Sequence, residues 1–472
     1  MSVVVPVNSG AQSAMHALNR IAFGPRPGDI RRVLGGGLAQ WIDGQLNPTP
    51  DSSLAQRLAP YGSINYTVPQ MVAIANAGGP ISQLHDEFYT AKILRAVHSK
   101  NQLEEVLVDF WFNHFNVYLP DDFLQYATPS YERDAIRPFV LGKFRDLVRG
   151  SANHVAMMYY LDNYLSRVSR VVNGVLVQGL NENYGRELME LHTVGVDAGY
   201  TQEHVFDAAR CFTGWGIDNV NTGGSFMYRA NQHDVGTKSV FGLAVAANGQ
   251  KDDGDRLIDY LATHPSTARF VSRKLARRFV SDDPPNSIVD KCAATFMATG
   301  GDIREVLTTM FSSTEFWDEA RAPEGKPKTP VEYAISALRA CDAQVANGTS
   351  VRGYIFNMGM PLYQCIPPTG YSHRGIDWLN PSSHLNRMNF ALDLAAGRLT
   401  GIVVDVAGLV RAWGGMPEDP RSVANFMNSE VLGHKLRPDA MQTLSRLALG
   451  GTPTLAAKVV GLCLASAPAQ VR

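Results

Sequence analysis

Between Asn181 and His204 the chain reads NENYGRELMELHTVGVDAGYTQEH, with Glu187 and Glu190 inside a segment of helical apolar rhythm. On an α-helix, residues three and four apart are neighbours. Both acids therefore lie on adjacent turns, with Asn183 one turn earlier and Arg186 within reach of Glu190. Neighbouring carboxyls can be driven apart in pKa, one protonated and one charged, which suits acid/base chemistry. Leu188, Met189, Leu191 and Val194 make the helix apolar on several sides, so it is expected to be buried and its charges to need partners. His192 lies about 140° round the helix from Glu187, at ~100° per residue. The segment is therefore not a zinc-binding HExxH helix, whose two histidines share a face.

Other polar groups fall in segments that could complete a site. In DFWFNHFNVYLPDD, His114 sits one turn from Phe110 and Trp111. It is either a hydrogen-bonded core histidine or a general base beside a sugar-stacking Trp111. MMYYLDNYLS places Asp162 and Asn163 where an apolar helix runs out, as capping residues or as site residues. RCFTGWGID puts Arg210, Thr213 and Trp215 at a helix end. NQHDVGTK puts His233, Asp234 and Lys238 in an irregular region, where they could bind ligand or metal. RKLARR (Arg273–Arg278) reads as a solvent-exposed basic helix face that would also suit an anionic substrate.

The elements that must position these groups are helices. SQLHDEFYTAKILRAVHSK and NQLEEVLVDFWFNHFNVY read as long amphipathic helices, and HPSTARFVSRKLARRFV starts with proline at its first turn. The central helix is predicted over Tyr184 to Val194, stopping at Gly195, which tolerates positive φ. PSYERDAIRPFVLGKFRDLVRGSANHVAMMYYLDNYLS is expected as short helices broken at Pro138 and Gly150. Strand patterns are scarce; GSFMYRANQHDVGTKSVFG is expected as a short β-hairpin or two short strands. Two irregular regions, about 216–254 and 344–381, read as functional loops. The predicted fold class is mainly α: a large helical domain with a short β-hairpin and long irregular loops lining a polar cleft. The whole chain, 1–472, is expected as a single unit, with a soft boundary between two lobes near 216–256.

Composition narrows the function classes. The 472 residues carry 43 basic and 44 acidic side chains, a formal net charge of -1, which points to no nucleic-acid partner. No apolar run reaches the ~20 residues a membrane-spanning helix needs. The five scattered cysteines are expected to be buried free thiols. The start, MSVVVPVNSGAQ, lacks the basic and apolar regions of a signal peptide, which implies a cytoplasmic chain as written and an exported one if a leader was removed. Phosphate-loop, GxGxxG, GxSxG and CxxCH motifs are missing, which disfavours nucleotide-dependent and α/β-hydrolase chemistry.

Three functions follow from these residues. The first is a carbohydrate-active enzyme, a glycoside hydrolase or polysaccharide lyase acting on a poly- or oligosaccharide without a cofactor. Glu187 and Glu190 are its expected catalytic acids, with His114 and Asp162 in support. Trp111, Asn163, Asn183, Tyr184, Arg186, Trp215, His233, Asp234 and Lys238 would bind substrate; in a lyase, Asn163 or Asn183 with Arg186 would neutralise a uronate while His114 or Tyr184 took the proton. The second is a hydrolase or oxidoreductase using a divalent transition metal on some of His114, His192, His233, Asp234 and Glu187. The third is a non-catalytic envelope or assembly protein whose polar network only fixes its packing.

Taken in order, LNRIAFGPRPGDI, FWFNHFNV, MMYYLDNYLS, the long central motif, HDVGTKSVFG, HPSTARFVSRKLARRFVSDDPP and MGMPLYQCIPPTGY with WLNPSSHLNRMNFAL resemble the bacterial domain of unknown function 1800 family. The resemblance runs from about Leu18 to the C-terminus. It implies a mostly helical, single-unit protein of a family that is often exported. Family members commonly carry a second histidine where Phe112 stands here, so a metal site built on that pair is not expected in this chain.

Overall fold

A computed structural model describes residues 2–5, 10–172, 175–319, 325–446 and 455–472. The protein is mainly α, 62% helical with only short antiparallel strand pairs. Buried apolar side chains from Val3 to Ala469 form one continuous cluster. No helix among the described residues is long and apolar enough to cross a membrane. All five cysteines are free and buried.

The site is framed by helices Ile81–His98, Gln102–His114, Asn183–Glu187, Gln202–Cys211, Asp252–Ala262, Pro265–Phe279 and Pro330–Ala340. Their starts follow from local chemistry. Thr201 and Thr329 close capping boxes with His204 and Glu332. The side chain of His264 accepts from the Ser266 amide ahead of Pro265. Gly195 takes φ +87, the conformation foreseen for the stop of the central helix.

The winding of two helices departs from expectation. After Leu124–Ser130 the chain passes into a π-turn, Tyr131–Ile136, and after Asn183–Glu187 into another, Leu188–His192. In a π-turn the bonds run i→i+5, so the ~100° step used to place His192 no longer holds there. Gly150 does not break its helix, which runs Phe144–Asn153. A Cβ there would stand 2.8 Å from the Ala135 carbonyl oxygen, so glycine permits close approach to the π-turn rather than ending an element.

The predicted hairpin is also rearranged. Phe226–Tyr228 and Lys238–Val240 are both strands, but they do not pair with each other. The first pairs antiparallel with Trp215–Ile217 and the second with Leu243–Val245. The 344–381 region, read as loop, contains the helix Thr349–Asn357; the irregular stretch that follows it lines the cavity described below.

Candidate functional site

Glu187 is half-buried beside the second π-turn, whose end is fixed by the Thr193 hydroxyl donating to the Leu188 carbonyl at 2.6 Å. Burial, and then the neighbouring charge of Glu190, raise the Glu187 carboxyl above the ordinary carboxylate range, and Arg186 offsets part of that rise. Arg186 is held between Glu182 at 3.0 Å and Glu190 at 3.4 Å and also donates to Gln202 at 2.9 Å. Such partly exposed pairs contribute ~0–1 kcal/mol. Asn183 is exposed on the same helix. Gly185 faces the Gln202–Cys211 helix, where a Cβ would lie 2.7 Å from the Ala209 nitrogen. Tyr160 is partly exposed near Glu187. Its hydroxyl donates to the Ile366 carbonyl at 2.5 Å, and it also interacts with the Glu187 charge and hydrogen-bonds Asn116. Next to it Tyr159 and Tyr164, both partly exposed, stack with centroids 5.1 Å apart.

His114 is buried and both its ring nitrogens are occupied. Nε2 meets the His192 carbonyl at 3.1 Å, and Nδ1 meets Lys274 Nζ at 2.7 Å. A carbonyl only accepts, so Nε2 carries the proton and Nδ1 accepts from Lys274. Burial first, then Lys274, holds the imidazole neutral, well below its usual pKa. Burial and then Lys274 likewise push His192 down to about 3. Lys274 has no carboxylate within ion-pair distance among the described residues, and burial followed by Arg277 lowers its amine from 10.5 to about 7. The expected basic face RKLARR is therefore split. Arg273 and Arg277 are partly exposed, Arg278 is buried, and Lys274 turns its amine onto His114.

Several expected site residues are structural instead. Trp111 is buried among Phe110, His114, Phe115 and Phe144, so it offers no face to a sugar. Trp215 is equally buried, between Phe212, Phe226 and the Lys251 ammonium. Tyr184 packs edge-on against Phe212, and burial pushes its phenol well up, away from use as a base. Asn163 is buried, donating to the Phe212 and Trp215 carbonyls at 3.4 and 3.2 Å. Asp162 occupies a left-handed turn, φ 57, as the chain leaves the Val155–Tyr160 helix, and burial and then Asp121 raise its carboxyl.

The HDVGTK segment is a staple rather than a cleft wall. His233 Nε2 and Lys238 Nζ meet the same Asp253 oxygen at 3.2 and 2.6 Å, with all three side chains fully buried. Asp234 pairs with Arg210 at 2.9 and 3.0 Å, and this pairing lowers its carboxyl. These bonds fasten the second strand pair to helices Gln202–Cys211 and Asp252–Ala262. The cleft expected to join HDVGTK to Glu187 is thus filled on this side by protein.

A small cavity of about 50 Å3, lined by both apolar and charged side chains, opens on the other face of the Gln102–His114 helix. Phe110, Phe112, Asn113 and Asn116 line it, so the FWFNHF segment does face a cavity, but not through His114 or Trp111. The amides of Asn113 and Asn116 clamp the irregular stretch opposite, donating to Tyr371 and Cys365 carbonyls at 2.8 Å each. Of its charged lining, Lys92, Asp109, Glu332 and Arg472 were not foreseen from the sequence, and Arg278 was expected on the exposed RKLARR face. Lys92 bonds Asp109 at 3.1 Å and lies 3.5 Å from Glu132, which comes from the first π-turn. Burial alone would raise Glu132, yet Lys92, Arg137 and Arg95 hold it down at about 2, and Tyr363 donates to it at 2.6 Å. The overlooked signal was helical phase. Arg278 follows Val271 and Leu275 at helical spacing, so it falls on the buried face.

No three His, Cys, Asp or Glu side chains converge as a metal site among the described residues. Of the donors expected for a transition metal, His114 and His192 are neighbours with ring centroids 6.1 Å apart, and His233 and Asp234 belong to the staple.

Fold and site together define a mainly helical protein with two π-turns bringing carboxylates towards a polar interior. The model of the family described as protein of unknown function (DUF1800) matches residues 16–471, and the chain belongs to that family. No curated protein and no solved structure matches the chain.

Proposed function

We propose that the protein is a carbohydrate-active hydrolase, with Glu187 as proton donor and Glu190 as its carboxylate partner. The observation that carries this reading is the raised Glu187 carboxyl beside Glu190 on a half-exposed helix face. A carboxyl with raised proton affinity next to a second, arginine-paired carboxylate is the division of labour that glycosidic bond cleavage uses. The stacked, partly exposed Tyr159 and Tyr164 would offer aromatic faces to sugar rings, and the adjoining Tyr160 interacts with the Glu187 charge and bonds Asn116 of the cavity lining. Hydrolysis is favoured over elimination. The lyase needs Tyr184 or His114 as base, and both are buried in bonds or packing described above; of its neutralisers Asn163 is buried too, while Asn183 and Arg186 stay accessible.

The test is Glu187→Gln, which keeps shape and removes the titrating proton. On a panel of poly- and oligosaccharides, release of reducing ends should fall by ~10²–10⁴-fold, with the thermal unfolding midpoint unchanged. Undiminished release by this variant would remove Glu187 from the reaction, and unsaturated, ultraviolet-absorbing products would restore the lyase.

A further inference from the structure

The irregular stretch between helices Leu38–Leu46 and Ser52–Leu58 borders an open groove of about 340 Å3. That volume falls in the range of small-molecule sites, about 300–1,000 Å3. Part of its lining is apolar: Pro48, Pro50, Leu54, Ala55 and Leu58. The rest is charged, and comes chiefly from the Ile81–His98 and Gln102–His114 helices, with Arg137 beside them.

Most of these polar groups are already committed to protein. Arg137 holds Glu105 with two bonds, at 2.8 and 3.0 Å, and reaches Glu132 at 3.3 Å. Asp51 accepts from the Leu54 and Lys100 amides at 3.0 and 2.9 Å. The Asn101 carboxamide donates to the Thr49 carbonyl at 2.8 Å. Two groups of opposite sign remain. Among the described residues, the Arg95 guanidinium has no hydrogen bond and no ion pair. Glu104 has Asn101 as a hydrogen-bond neighbour and no cation within ion-pair distance. Both residues are partly exposed, and neither contributes to the fully enclosed unbonded atoms of the chain, so their polar atoms are accessible at the groove. Burial and then Arg137 lower the Arg95 guanidinium, while burial and then Glu105 raise the Glu104 carboxyl. Each charge is thus poorly solvated and lacks a direct counter-charge, a costly state that a ligand relieves.

We infer that this groove binds a free α-amino acid with an apolar side chain, its carboxylate on Arg95 and its ammonium on Glu104. The two residues sit on different helices and do not bond each other, yet both line one groove. A zwitterion gives each of them its opposite charge and adds no net charge. A simple anion would leave Glu104 unpaired, and a simple cation would leave Arg95 so. The guanidinium fork matches a carboxylate with two parallel N–H···O bonds. The apolar part of the lining then shields the side chain from water. Neither Glu187 nor Glu190 belongs to the groove, so the inference stands apart from the hydrolase reading.

The test is titration calorimetry of the full chain with leucine as probe, beside N-acetyl-leucine, which keeps only the carboxylate, and leucinamide, which keeps only the ammonium. Leucine should bind, and each derivative should bind at least about tenfold more weakly, the loss expected for one hydrogen-bonded charge. Arg95→Gln and Glu104→Gln should each weaken leucine by a similar factor. The first should no longer distinguish leucine from leucinamide, and the second should no longer distinguish it from N-acetyl-leucine. Ala55→Trp, at an exposed position outside the charged network, should obstruct the groove and weaken leucine even if a charge variant does not fold. Absence of leucine binding at millimolar concentration overturns the inference. So does a derivative that binds as tightly as leucine, or leucine binding that Ala55→Trp leaves unchanged.

Discussion

Replacing Lys274 with methionine isolates the cost of holding an amine against His114. The amine falls from 10.5 to about 7 on folding. At ~1.4 kcal/mol per pKa unit this is a ceiling of ~5 kcal/mol; partial solvation of the side chain reduces the expected effect to ~2 kcal/mol. The sign follows from proton counts. Between pH 7 and 10.5 the unfolded chain carries a proton on Lys274 that the folded chain lacks, so wild-type stability rises with pH across this window. Below it both states are protonated and the cost is constant. Methionine does not titrate, and it forgoes a hydrogen bond to Nδ1 of His114 contributing ~1 kcal/mol. The variant should therefore be more stable than wild type by ~1 kcal/mol near pH 7 and lose that advantage by about pH 9.5. Urea unfolding of both proteins across that range reads the difference directly, and contributions from other groups, Lys328 included, cancel between the two. His114, His192 and His373 stay neutral throughout, since their own values are already lowered. A stability difference that does not change with pH would refute the picture of a desolvated amine.

Two further outcomes follow from the buried networks. Asp253→Asn leaves the Lys238 ammonium and His233 without their shared acceptor, so urea unfolding should show a loss of ~3–5 kcal/mol, unlike Asp234→Asn at the half-buried Arg210 pair. Glu132, depressed from 4.5 to about 2, contributes stability that is present above pH 4.5 and lost as pH falls through 2. Glu132→Gln should flatten that acid limb while lowering stability at neutral pH; a wild-type acid limb retained in this variant would show that other carboxyls produce it.

Legibility of the sequence divided along the range of the interactions. Helices whose apolar residues recur every three or four positions were found, as was the stop at Gly195, because each is decided within a few residues. The i,i+4 pairing of Arg186 with Glu190 was legible for the same reason. Trp111 and Trp215 read as ligand platforms because an aromatic residue looks the same whether it faces solvent or core. The partner of His114 could not be read, since Lys274 lies 160 residues away. Nor could the π-turns, which no local periodicity announces, or the Asp253 that turns His233 and Lys238 into a staple. Arg278 was within reach: its helical phase marked it as buried, but the four cations of RKLARR drew attention to charge instead of phase.

The wide turn at Leu188–His192 makes this stretch sensitive to chain length in a way the rest of its helix is not. A turn bonded i→i+5 accommodates an extra residue that an ordinary turn would exclude. Deleting one residue there would restore regular winding and move the residues of the turn itself to new faces of the helix. The His192 carbonyl would leave His114, and Glu190 would swing away from Arg186. Among relatives of this chain, the spacing between the glycine at 185 and the glycine at 195 should therefore be kept more strictly than the residue types between them.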